Sequence, residues 1–145
     1  MDGVRPPVVF GGDGPARAGL MRRAEDLDAD ARFLGFLDRE ELPAFYSALD
    51  VFAFPSPVET QGIVALEANA CGTPVVGVDS GALEDTVDDD ATGYVYPKGD
   101  MAAFRAGIER ALGEYDRLRE NCLARRDVVS VENAVDRLAD EYAAA

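Results

Sequence analysis

The sequence predicts an α/β domain with a mainly parallel sheet. Short apolar runs of strand character alternate with longer segments of helical character, and glycine or proline clusters separate them. At 145 residues and 48% hydrophobic content, the chain has enough material for one domain with a core, and not enough for two. Strands are expected near residues 7–11, 32–36, 50–54, 74–78 and 93–96. The first ends in Gly11-Gly12-Asp13-Gly14, which lacks the G-x-G-x-x-G spacing of a dinucleotide fingerprint because Pro15 and Arg17 stand where later glycines are needed. That spacing argues against a dinucleotide-dependent dehydrogenase. The loop reads either as a tight strand-to-helix turn with Pro15 at the first helical position or as a ligand contact. Helices are expected over 15–27, from Glu40 to Ala48, over 62–71, and from Ala82 to Thr86. Asp100 is the expected cap of a helix to Leu112, and a further helix runs from Tyr115 to Arg126. A last helix, capped by Ser130, runs to Tyr142 and places Val131, Ala134, Val135, Leu138 and Tyr142 on one apolar stripe.

The segment Glu59-Thr60-Gln61-Gly62-Ile63-Val64-Ala65-Leu66-Glu67 lies between the third and fourth strands. A helix starting there leaves its first N–H groups unpaired and partly positive, and Gly62 has no side chain to obstruct a ligand. An anion fits such an end. Glu67 lies about 7.5 Å of helical rise beyond Gly62, while Glu59 lies in the loop before it. A nucleoside diphosphate sugar matches that layout, with pyrophosphate at the amides, one carboxylate for sugar hydroxyls and the other for ribose hydroxyls. A plainer alternative makes Glu59 a solvated loop acid and Glu67 a polar position on a surface helix. The helix itself is expected to pack through Ile63, Val64, Leu66 and Ala70, and to end at Gly72-Thr73-Pro74.

With these motifs the sequence resembles the retaining GT-B glycosyltransferases of the family 4 type, whose C-terminal domain carries two glutamates at this spacing. The resemblance extends over Gly12-Asp13-Gly14-Pro15, Phe33-Leu34-Gly35-Phe36, Glu41-Leu42-Pro43, Ala48-Leu49-Asp50-Val51, Ala70-Cys71-Gly72-Thr73-Pro74-Val75-Val76 and Thr92-Gly93-Tyr94-Val95, in the family's order, and covers residues 7 to 142. It implies that Glu59 contacts hydroxyls of the transferred sugar and acts in catalysis. It further implies that the amides of Gly62, Ile63 and Val64 hold sugar and phosphate oxygens, that Glu67 binds the ribose, and that backbone near Phe36 and Leu37 borders the base. Gln61 stands where the family often has an aromatic or aliphatic residue, which leaves the sugar open.

The resemblance implies a doubly wound, Rossmann-like sheet, the C-terminal half of GT-B, lacking its first central strand and helix. In the family that segment carries a Gly-Arg and a later Lys-Gly whose basic side chains neutralise the donor pyrophosphate, and no counterpart is found in residues 1–6. With that strand gone, strand 50–54 is expected either to pair directly with strand 7–11 or to flank an open slot. The chain is then expected to be one partial domain: a truncated gene product, a mis-called start, or one half of a split enzyme whose partner is a separate N-terminal GT-B half. The terminal helix would then be only loosely docked or would mark the surface where that half docks, the alternative being a helix packed normally on its own sheet.

Composition narrows the remaining classes. Net charge is −14, from 28 acids against 14 bases, and Lys98 is the sole lysine. Such a chain is a poor nucleic-acid partner, and its acidic surface is of the kind found in salt-loving organisms. With no histidine, it can supply no histidine base, nucleophile pair or metal ligand. The Asp88-Asp89-Asp90 run lacks the alternation of a calcium loop and is expected as solvated surface, so no metal or other cofactor is expected. Cys71 and Cys122 are isolated and read as small core thiols. The sequence has no apolar stretch of membrane-spanning length and no signal-peptide pattern, so a cytoplasmic protein is expected. The alternative to an enzyme part is a non-catalytic module that binds nucleotide weakly or docks another chain. A response-regulator-like domain is disfavoured, because no acidic cluster with a switch lysine stands at strand ends.

Overall fold

The computed structural model describes residues 6–56, 62–81 and 83–127. Glu59, Gln61 and the expected helix from Ser130 to Tyr142 lie outside them. The described elements run β1 (Val8–Gly11), α1 (Arg17–Asp26), β2 (Ala31–Gly35), α2 (Leu42–Ser47), β3 (Phe52–Phe54), α3 (Ile63–Ala70), β4 (Val75–Val78), α4 (Leu83–Thr86), β5 (Gly93–Tyr96), α5 (Met101–Gly113) and α6 (Tyr115–Arg125). Each lies where the sequence places it, with ends shifted by a residue or two. Every ladder among the described residues is parallel: β1 with β2, β3 with β4, and β4 with β5. The strands form two sheets, β1-β2 and β3-β4-β5, so strand 50–54 does not pair with strand 7–11. The chain packs as two compact units that divide between Phe45 and Tyr46.

In the first unit Val8 pairs with Ala31 and Phe10 with Phe33, whose rings stack at 4.6 Å. Gly11 is closely packed, since a Cβ there would lie 2.9 Å from the ends of both the Leu37 and Phe45 side chains and would make them shift. The turn after β1 differs from the expected one. Pro15 precedes the helix, because the Arg17 N–H bonds back to the Gly14 carbonyl at 3.1 Å and the helix proper starts at Arg17. The Asp13 carboxylate holds the Gly14 amide at 2.8 Å, which closes the loop on itself.

The second unit holds the core. All four β4 residues are buried, and Val76, Val78, Tyr94 and Tyr96 pack with Ala111 of α5 and Leu118 of α6. Burying one such aliphatic side chain contributes about 1.5 to 3 kcal/mol. Gly93 is set by its neighbour strand: a Cβ would meet the Val75 carbonyl oxygen at 1.9 Å. Helix α5 begins as expected, with the Asp100 carboxylate accepting the Ala103 N–H at 2.8 Å.

The Asp88-Asp89-Asp90 run is exposed, as expected of solvated surface, but each of the three acids has a partner. Arg125 bonds Asp88 at 3.1 Å, Asp89 accepts the Val95 N–H at 3.1 Å, and Asp90 takes Arg110 at 2.8 Å and Arg117 at 3.2 Å. Arg110 also lies over the Tyr94 ring, 4.4 Å from its centre. Both arginines bond Glu114 at the α5–α6 junction, and these bonds, Arg117 first and then Arg110, hold its carboxyl down to about 2. The acids therefore fasten a turn to two helices. Among the described residues no helix is long and apolar enough to cross a membrane.

Candidate functional site

Helix α3 follows the carboxyl end of β3, the edge at which open parallel sheets receive ligands. Its cap, Gly62, is buried and left-handed, with φ 62° and ψ 19°, a conformation that strains any residue with a Cβ. The Gly62 carbonyl accepts from Ala65 at 3.1 Å and Leu66 at 3.2 Å, which starts the intrahelical ladder. Ile63 and Val64 precede the first donors of that ladder, so their amides have no acceptor within the helix. The sharp entry at Gly62 and the positive helix end are thus built into one short segment.

The packing of α3 differs from the stripe read in the sequence. Ala65, Ala68 and Asn69 are its buried face, whereas Ile63 is 51% exposed and Val64, Leu66 and Ala70 are half-buried. Small residues let the helix backbone approach the sheet closely, and a longer side chain such as Ile63 is turned outward. Asn69 succeeds inside because its amide, oriented by the hydrogen-bond pattern around it, directs its nitrogen at the carbonyls of Thr73 and Thr92 at 3.0 and 3.1 Å. The helix ends in a Schellman turn at Gly72, φ 81°, with Gly72 N–H to the Asn69 carbonyl at 2.9 Å and Thr73 N–H to the Ala68 carbonyl at 3.0 Å. That end was legible in Gly72-Thr73-Pro74.

Glu67 is half-buried on α3, and the hydroxyl of Tyr46 donates to its Oε2 at 3.1 Å. Tyr46 is 4% exposed and meets Phe52 edge-on at 5.3 Å. Burial, and then the Glu67 carboxylate, push the Tyr46 hydroxyl well above its ordinary range, so it stays protonated and remains a donor. Thr73 Oγ1 donates to the Tyr46 carbonyl at 2.6 Å. Sequence reasoning passed over Tyr46, Asn69 and Thr73. A tyrosine or asparagine at an otherwise apolar position was the available signal, since buried polar groups need partners.

The expected base-bordering residues, Phe36 and Leu37, belong to the first unit. Phe36 is 76% exposed just past β2, and Leu37 is half-buried near Gly11. In the second unit the structure brings together Gly62, Ile63, Val64 and Glu67. Glu59 lies outside the described residues.

A parallel α/β arrangement with a helix start at the carboxyl edge is the architecture of the GT-B glycosyltransferases. Residues 4–125 match the model of the glycosyl transferases group 1 family, and the chain belongs to that family. It is 38% identical over 123 residues to the 2-deoxystreptamine N-acetyl-D-glucosaminyltransferase of Streptomyces fradiae, a match covering 82% of this chain and 29% of that protein. Among solved structures, sucrose-phosphate synthase from Thermosynechococcus elongatus superposes with a TM-score of 0.78 at 31% identity, covering 93% of this chain and 37% of that one. Anabaena HepE in complex with UDP superposes at 0.81 with 22% identity, over 96% of this chain and 41% of that one, a likeness of fold. The chain therefore spans under a third of the length of the first of these relatives.

Proposed function

We propose that this chain is the donor-binding part of a glycosyltransferase that moves a sugar from a nucleotide-sugar with retention of configuration. The observation that carries the reading is the start of α3, where a left-handed Gly62 presents the Ile63 and Val64 amides and Glu67 follows about one and a half turns later. Phosphate oxygens of the donor would meet the amides, and the helix end would stabilise the charge that builds on the departing nucleoside diphosphate. Glu67 would accept hydrogen bonds from the ribose hydroxyls. Glu59 would take hydroxyls of the transferred sugar and serve catalysis, and the backbone near Phe36 and Leu37 would border the base. No metal enters this reading, because the helix end would meet the anion's charge. Transfer by the assembled enzyme should continue unchanged in EDTA.

The relatives are about three to four times as long as the stretch matched here, and the acceptor side of the cleft would come from an N-terminal GT-B half. The 145-residue chain by itself should therefore bind donor without transferring sugar. Calorimetry with UDP-, GDP- and ADP-sugars tests the reading, and heat from none of them would reject it. In an enzyme completed by the other half, Glu67→Ala should weaken donor binding by about 1.5 to 3 kcal/mol. Glu59→Ala should chiefly slow transfer. Wild-type affinity and rate in both variants would count against the assigned roles.

A further inference from the structure

We propose that Tyr46 is a positioning residue for the nucleotide site, holding the Glu67 carboxylate in the orientation that receives the ribose diol. The proposal rests on the donor-site reading above and adds to it a residue 21 positions away in sequence.

Among the described residues Tyr46 is the side chain bonded to Glu67, and it occupies Oε2 alone. Among the described residues no side chain bonds Oε1, the oxygen that would receive a ligand. A glutamate side chain has several rotamers to lose on binding, and a carboxylate must present its plane to accept two neighbouring hydroxyls. The bond from Tyr46 removes part of that freedom before any ligand arrives.

Tyr46 is itself held at its ring and at its backbone. Its ring is buried against Phe52, and its carbonyl is bonded by the Thr73 hydroxyl at 2.6 Å. Thr73 is in turn fixed by the Schellman turn that closes α3, through its N–H to Ala68. Glu67, Tyr46, Thr73 and Ala68 thus form a closed circuit that begins and ends on one helix. A circuit of this kind fixes the carboxylate relative to the helix start, where the phosphates would sit. Burial and the neighbouring carboxylate push the tyrosine hydroxyl well above its ordinary range, which keeps it the donor and the glutamate the acceptor.

The test titrates the full 145-residue chain with UDP, GDP and ADP and with their 2′,3′-dideoxy counterparts by calorimetry. The best-bound ribonucleotide should bind about tenfold more tightly than its dideoxy form, as expected for hydrogen bonds to a charged group. Equal affinities, or no binding, would overturn the donor-site reading and the proposal with it. Given that preference, Tyr46→Phe should weaken the ribonucleotide about five- to tenfold and leave the dideoxy form unchanged. In a Glu67→Ala background the same substitution should change neither ligand. Equal losses for both ligands, or no loss, would overturn the positioning role and leave the donor site standing. Should Tyr46→Phe fail to fold, Thr73→Val supplies the second arm. It should weaken the ribonucleotide alone, by about threefold, and a uniform or absent effect would again overturn the proposal.

Discussion

Strands β1 and β4 have almost the same composition, VVFG and VVGV, yet they end in different environments. All four β4 residues are buried, with Leu83 reaching Gly77 and Val76 packed against Gly107 of α5. In β1, Val8 is 43% exposed and Phe10 36%, and α1 of the same unit has no buried residue. The difference teaches that an apolar run specifies a strand but not a core. A core requires layers on both faces, and the second unit contains its own. The candidate anion site lies on that better packed unit, which suits a site that must hold its geometry before a ligand binds.

The sharpest way to break the comparison is at two glycines. Gly93→Ala should cost about 4 kcal/mol or leave no folded protein, because its Cβ would lie 1.9 Å from the Val75 carbonyl oxygen. Gly19→Ala, on exposed α1 with nothing within 4 Å, should instead stabilise by about 0.5 kcal/mol. Urea unfolding measures both, and similar effects at the two positions would refute the contrast.

Hydrogen exchange comes next. Amides of β4 and β5 should exchange only through global unfolding, while those of β1 and β2 should open at about 3 kcal/mol less. Equal protection of the two ladders would show that exposure of Val8 and Phe10 has no energetic consequence.

The arginine and acid cluster of the second unit gives a pH test. The Glu114 carboxyl is depressed to about 2 by Arg117 and Arg110, so its contribution is complete above the ordinary carboxylate range and is lost as pH falls through about 2. Wild type should therefore lose urea resistance between about pH 4.5 and 2, and Glu114→Gln should lose less across that window. Parallel curves for the two proteins would remove Glu114 from the account. The smallest effect is expected from salt. With a net charge of −14, raising potassium chloride from about 0.1 M to about 2 M should lift the unfolding midpoint by a few degrees. A lowered midpoint would mean that loss of the Arg110, Arg117 and Arg125 ion pairs outweighs relief of repulsion.

Much of the fold was legible because its signals are local. The apolar runs at 7–11 and 74–78, the Asp100 cap and the Gly72-Thr73-Pro74 ending each act within a few residues, and the structure has each of them. The GT-B likeness was legible too, since Gly62 and Glu67 on a helix after a strand belong to a pattern spread along the chain. Two local readings failed for physical reasons. Pro15 was outcompeted by a turn closed through Gly14 and Arg17, and the stripe on α3 rotated because small Ala65 and Ala68 pack closer than Ile63 can.

What the sequence by itself determined is the order of strands and helices, the glycine at the start of α3, and the acid five residues beyond it. Only the tertiary structure decided which acids have partners and which apolar residues have cover. Tyr46 reaches Glu67 across 21 residues, and Asp88 and Asp90 find their arginines 20 to 37 residues away. Such pairings depend on how α3 and α6 lie against the parallel strands, a geometry set by summed packing over the whole core and written at no single position.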